Sequence, residues 1–222
     1  MFVKQVQCVF RSLLGADPTA QRSLSDPAAA RIVDEAIEAI AVLGWRRMTM
    51  SDVAKRGRIG RATLYRYFAS KDELRDAIFL REVNRFMDAS TRARASTASV
   101  EDALTSSLAI TLEFVRDNRM LNRLRETDRE MLLEALFDDD LIAMGREFSA
   151  QLWKTQLHGE APVDESVMTH LRTVSEITTR LTLSLIANPQ TVVDFTAPDA
   201  SRAYVQRYLL PLFRPSTNFE QA

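Results

Sequence analysis

Cysteine is almost missing from this chain. Cys8 is the single one in 222 residues, so no disulfide can close within it, and a reducing, cytoplasmic setting is expected. Histidine is nearly as scarce. His158 and His170 lie in different segments and form no metal-ligand spacing, so no metal and no other cofactor is expected. The same shortage leaves no nucleophile–base pair for an enzyme, and no catalytic residue is assigned. No apolar run approaches the length of a membrane span. The N-terminal stretch MFVKQVQCVFRSLLGADP is broken by Lys4, Gln5, Gln7 and Arg11 and does not read as a secretory signal.

Glycine and proline are also few, six and seven respectively, which leaves room for long uninterrupted 3.6-residue periodicities. An all-α fold follows. Residues 1–27 are polar and turn-rich towards their end and read as a leader. It is either a tail or an arm that reaches a minor groove through Arg11 and Arg22. Asp26 can cap a helix with Pro27 in its first turn. That helix carries Ile32, Ala36, Ile37, Ile40 and Leu43 on one face and stops at Gly44. A short helix MSDVAKRG follows, with Thr49 and Asp52 at capping-box spacing and Gly57 just past its end. After a turn, a second short helix, RATLYRYF, begins near Gly60. Ser70-Lys71-Asp72-Glu73 caps a third helix starting at Leu74, and STRARASTAS (90–99) reads as its end and a connector. Further helices are expected over 100–116, 128–158, 165–187 and 199–213, and Asp138-Asp139-Asp140 reads as a solvated helix end or loop.

Charge is distributed unevenly. Residues 1–94 hold 17 Lys+Arg and 11 Asp+Glu, which leaves 12 and 19 of the chain's 29 and 30 for the remainder. Within 46–66, Arg46, Arg47, Lys55, Arg56, Arg58, Arg61 and Arg66 face only Asp52. Such a patch repels itself unless a polyanion offsets it. Two short helices joined by a tight turn, the second opening on basic residues, describe a helix-turn-helix. Its second helix would enter the major groove of double-stranded DNA with Arg61, Ala62 and Thr63 leading. Arg61 can fork onto a guanine or pair with a phosphate. Leu64 and Phe68 share a face and should pack inward against Val53 and Ala54. Tyr65 and Tyr67 flank that face, either half-buried or offering hydroxyls to phosphates, and Arg66 projects outward.

The stretch from Thr49 to Leu74, TMSDVAKRGRIGRATLYRYFASKDEL, resembles the DNA-binding signature of the TetR family of bacterial transcriptional regulators. The matching positions are Thr49, Asp52, Val53, Ala54, Ile59, Thr63-Leu64-Tyr65, Tyr67-Phe68, Ser70-Lys71 and Leu74. The resemblance implies an N-terminal three-helix DNA-binding domain (28–75, with a connecting helix to about 90). A larger helical effector-binding and dimerisation domain (76–222) follows. It also implies a homodimer that reads a palindromic operator and is released by a small, largely apolar effector. By the same resemblance Thr49, Thr63, Tyr65, Tyr67 and Lys71 contact the DNA backbone, and Arg61 and Arg66 contact bases or backbone. Three positions depart from the usual pattern and belong to the same DNA-reading surface. Arg58 stands where a glycine is usual, Gly60 where a capping serine is usual, and Ala62 where a small glycine is usual.

In the remainder, Val167, Leu171, Val174, Ile177, Leu181 and Leu185 form a stripe. It is either the interior of its own bundle or a seam with a second copy; the family's architecture favours the seam, with Tyr204 and Tyr208 alongside. Phe86, Phe114, Met120, Met131, Phe148, Trp153 and Met168 are candidates for an effector pocket, or else core. A ligand-responsive repressor is the expected function. An architectural DNA binder without an effector and an all-α enzyme are the alternatives.

Overall fold

The computed structural model describes residues 26–95, 97–195 and 197–213. The leader, with Arg11 and Arg22, lies outside the described residues. The fold is all-α, with ten α-helices and no strand among the described residues. They are α1 (Pro27–Leu43), α2 (Met50–Arg56), α3 (Arg61–Tyr67), α4 (Lys71–Ala95), α5 (Val100–Asp117), α6 (Arg119–Thr127), α7 (Arg129–Leu136), α8 (Asp139–His158), α9 (Glu165–Ala187) and α10 (Pro198–Tyr204). A π turn (Val205–Leu209) and a 3-10 turn (Leu210–Phe213) continue the last helix.

Local chemistry sets the boundaries. Asp26 accepts the N–H groups of Ala28 and Ala29 and starts α1. Gly44 ends it with φ +79 and donates its N–H to Ile40 O. Ser70 caps α4 through the Glu73 N–H, while Glu73 accepts from the Ala69 N–H, so that helix begins at Lys71, earlier than its apolar pattern suggested. At its other end α4 runs on to Ala95, through six of the ten residues (90–99) expected to hold its end and a connector. The single helix expected over 128–158 is interrupted. Asp128 and the Phe137-Asp138 pair break it, and Asp138 caps α8 by accepting from Asp140 and Leu141. Helix α6 had been missed, because residues 119–127 carry mostly polar side chains with only Met120, Leu121 and Leu124 buried.

Two compact units emerge, and their division differs from a simple N-terminal and C-terminal split. Of the described residues, the first takes those up to Asp88 together with Val115–Ala135; the second takes Ala89–Phe114 and those from Leu136 to Phe213. In the first, α1 packs on α2 and on α6, and α2 packs on α3. Its interior includes Ile32, Val33, Ile40, Val53, Leu64, Phe68 and Leu74. In the second, α8 and α9 form the main helix pair. They approach closely at Gly145, where a Cβ would stand 2.7 Å from Thr179 Cγ2; this accounts for a glycine inside a helix. The second unit's core gathers Leu104, Leu108, Trp153, Met168, Leu171 and Leu185.

Candidate nucleic-acid interface

The N-terminus of α2 is a complete capping box. The Asp52 N–H reaches Thr49 Oγ1 at 3.2 Å, and the Thr49 N–H reaches Asp52 Oδ2 at 2.9 Å. The Thr49 hydroxyl itself donates to the same carboxylate at 2.6 Å. These hydrogen bonds from Thr49 hold the Asp52 carboxyl below the ordinary carboxylate range. Thr49 is therefore exposed but already engaged.

The turn between α2 and α3 is a Schellman motif. The Ile59 N–H donates to Ala54 O at 3.0 Å and the Arg58 N–H to Lys55 O at 3.3 Å. That pattern demands a left-handed residue at position 58, and Arg58 takes it with φ +51. Gly57, the glycine nearest the helix end, keeps an ordinary helical φ of −74°. The glycine thus stands one position too early for the conformation it would serve best. Gly60 opens α3 with no side-chain cap, and a Cβ there would meet nothing nearer than Thr63 Oγ1 at 3.8 Å.

Helix α3 divides as its spacing predicts. Leu64 and Phe68 are fully buried, as is Val53, and Ala54 is nearly so. On the other side Arg61, Ala62, Tyr65 and Arg66 are exposed, with Thr63 and Tyr67 intermediate. Tyr65 leaves about half of its surface (49%) open to solvent, and the Arg66 guanidinium lies 5.5 Å from the Tyr67 ring centroid.

The cations of 46–66 are less alike than their sequence positions suggest. Arg56 pairs with Glu35 and Glu38 of α1, and Arg46 lies 3.7 Å from both Asp128 and Glu130. These four carboxylates are outside the window in which Asp52 stood alone. Among the described residues, Arg47, Lys55, Arg58, Arg61 and Arg66 make no ion pair, so the uncompensated charge gathers at the turn and on α3. Lys71 is turned inward. Its Nζ donates to Trp45 O at 2.6 Å and lies 4.4 Å from the Trp45 ring centroid, and burial lowers its pKa against the pull of Asp128 and Asp72. Asp128 was not among the candidates. It is buried, accepts the N–H groups of Trp45 and Arg46, and so holds the segment leading into α2.

The pocket candidates are divided between the units. Phe86, Met120 and Met131 belong to the first, and Phe114, Phe148, Trp153 and Met168 to the second. Trp153 and Met168 sit in the second unit's own core. The stripe on α9 also divides by burial. Leu171, Val174 and Leu185 are buried within the chain, and Val167 and Leu181 are partly buried against its core. Ile177 and Tyr208 are exposed, with Leu181 and Tyr204 half-buried.

A basic, outward-facing second helix packed on a first one across a tight turn is the arrangement of a helix-turn-helix module. Residues 32–78 match the family model of bacterial regulatory proteins, tetR family. An uncharacterised HTH-type transcriptional regulator of Mycobacterium tuberculosis is 36% identical over 94 residues, which is 42% of this chain and 46% of that protein. The chain thus spans about half the length of the curated relatives it matches. Two solved structures share the fold over most of both chains. The TetR family repressor AlkX of Dietzia sp. strain DQ12-45-1b is 20% identical, with a TM-score of 0.58 over 85% of this chain and 98% of its own. The fatty acid degradation regulator FadR of Bacillus halodurans is 17% identical, with a TM-score of 0.56 over 86% and 97%. Residues 32–78 are thus similar to the DNA-binding segment of the tetR family of bacterial regulatory proteins. Among the described residues no helix is long and apolar enough to cross a membrane.

Proposed function

We propose that the protein is a dimeric repressor that reads a palindromic operator through α3 and leaves it when a small effector binds the second unit. The observation that carries this is the exposed face of α3. Arg61, Tyr65 and Arg66 project from a helix whose opposite side is fully buried, and both arginines lack an ion-pair partner among the described residues. Together with Arg58, Gly60, Ala62 and Thr63, this surface fits a major groove, with Thr49 and Tyr67 beside the phosphates. Lys71 acts on the same interface from behind, holding the Trp45 carbonyl at the entry to α2.

Dimerisation uses apolar side chains at the surface of the second unit: exposed Ile177 with half-buried Leu181 one turn on, and exposed Tyr208 with half-buried Tyr204, whose rings lie 5.3 Å apart. A two-fold axis would present two copies of α3 to half-sites roughly 34–36 Å apart. The effector shifts the balance between operator-spaced and operator-incompatible dimers, which takes only a few kcal/mol of differential affinity.

The test is fluorescence anisotropy with the palindromes found upstream of the coding sequence. Wild-type protein should bind one of them specifically. The Arg61→Ala and Arg66→Ala variants should bind about tenfold more weakly or worse, each with a shallower dependence on salt. Unchanged affinity and salt slope in both variants would overturn the reading. Sedimentation should give a dimer, and Ile177→Glu with Tyr208→Glu should give a monomer.

A further inference from the structure

Arg94 is the last charged residue of α4, in the polar stretch where sequence alone suggests a solvated connector. It is instead interior, with 6% of its surface exposed. No carboxylate among the described residues pairs with it, and its Nη2 has no hydrogen-bond partner. The guanidinium lies 3.6 Å from the centroid of the Trp153 ring. Burial lowers its pKa to about 10, so the group remains charged at neutral pH. A stripped, unpaired cation is costly, and stacking on an indole offsets only part of that cost.

Trp153 adds a second orphan at the same place. Its indole is 2% exposed, and its Nε1–H also has no acceptor. The guanidinium covers that ring, so the two unsatisfied donors belong to one stacked pair of side chains. The interior around Trp153 is apolar: Leu104, Leu108, Met168 and Leu171 belong to the same buried cluster. The cover over the indole is the irregular segment that follows α10. Phe213 packs on Trp153 with ring centroids 4.4 Å apart, and it is carried by a segment that passes from α to π to 3-10 winding. Such winding is uncommon and is often placed at functional sites.

We propose that Arg94 and Trp153 form the headgroup site for an effector with an oxyanion, carboxylate or phosphate, on an apolar body. Arg94 forks onto the anion, the indole N–H donates to one of its oxygens, and the leucine and methionine side chains take the apolar part. The expectation of a largely apolar effector is thereby sharpened to an amphipathic anion. What this ligand does to operator affinity rests on the repressor reading; where it binds does not.

The test uses the full chain with three probes, dodecanoate, dodecyl phosphate and dodecan-1-ol, followed by calorimetry and melting temperature. At least one anion should bind wild-type protein and raise its melting temperature, and whichever binds more tightly separates carboxylate from phosphate. Arg94→Met should weaken that binding by roughly tenfold or more. Arg94→Lys should lie between, since an ammonium keeps the charge but loses the fork. Dodecan-1-ol should bind weakly and equally to all three proteins. Without ligand, Arg94→Met should melt no lower than wild type, because an unpaired buried charge has been removed. Four results each overturn the assignment: neither anion binds wild type, the alcohol matches the anions, the anions bind Arg94→Met as well as wild type, or the ligand-free Met variant melts well below wild type. Should the Met variant fail to fold, its structural role is exposed and the last of these applies, with Arg94→Lys giving the affinity comparison. Operator binding by ligand-free protein is measured alongside. Its loss with Arg94-dependent anion binding intact would sink the repressor reading alone.

Discussion

Asp128 Oδ2 accepts the backbone N–H of Trp45 at 2.9 Å across 83 positions of sequence. The other carboxylate oxygen accepts the Arg46 N–H at 3.1 Å, and the Thr127 hydroxyl donates to Oδ2 at 2.6 Å. Gly44 makes the approach possible. A Cβ there would lie 2.5 Å from Thr127 Oγ1 and 2.9 Å from Asp128 Oδ2, and its φ of +79 disfavours a side chain in any case. Asp128→Ala should therefore lower stability by about 2–4 kcal/mol, since it strands two backbone donors around a buried site. Asp128→Asn keeps one acceptor and should lose less. Chemical denaturation measures both.

Arg58 holds a left-handed conformation that costs an L-residue about 1–2 kcal/mol, while glycine's extra freedom in the unfolded chain returns some of that. Arg58→Gly should stabilise the protein by about 0.5–1 kcal/mol. The same variant should bind operator DNA more weakly and with a smaller salt slope, because a cation has left the turn. Opposite signs for stability and affinity would identify Arg58 as a residue kept for its charge.

Gly60→Ser should be a gain without a cost in packing. The position has open space around its missing Cβ and the extended backbone of an N-cap, φ −66 and ψ 144. A serine oxygen can accept an N–H in the first turn of α3 and raise stability by a few tenths of a kcal/mol. Thermal melts of the single variant are sufficient to show it.

Asp52 makes the α2 cap dependent on pH. Its folded pKa is below the ordinary 3.8, chiefly through the Thr49 hydroxyl and then the Thr49 backbone N–H. Because the unfolded chain takes up a proton at higher pH than the folded one, this stabilisation is complete above the ordinary value. It is lost as pH falls through the folded one. Thr49→Ala and Asp52→Asn should each flatten the acid side of a stability–pH curve and leave its slope near neutrality unchanged.

The two faces of α3 should separate cleanly on mutation. Phe68→Ala empties a fully buried site and should cost about 3–5 kcal/mol. Tyr65→Phe removes only an exposed hydroxyl and should change stability by less than about 0.5 kcal/mol. Its operator affinity should nonetheless fall by several-fold if that hydroxyl donates to a phosphate. Equal affinity for Tyr65→Phe and wild type would remove the tyrosine from the interface.

Much of the first unit was legible because its determinants are local. The spacing of Leu64 and Phe68 fixes their shared face, the Thr49–Asp52 interval fixes the cap, and Asp26 and Gly44 bracket α1. Such effects act within one or two turns and can be read from a few adjacent letters. The ion pairs of Arg56 with Glu35 and Glu38 depend on α1 crossing α2, and no window of sequence contains them.

The second unit shows the limit more sharply. An apolar stripe such as Leu171, Val174 and Leu185 states that a face is covered but not by what, and here the cover is the chain itself. Arg94 was hidden for the converse reason: an arginine among serines and threonines reads as solvated, and only tertiary packing carries it under Trp153. Asp128 likewise becomes visible when the fold delivers it to Trp45. By itself, the sequence determined the helical class, the caps and the two faces of α3, because hydrogen bonds to neighbours and 3.6-residue spacing are short-range physics. Tertiary structure decided which charges are compensated and which are buried alone, because desolvation and pairing depend on residues that are distant in the chain.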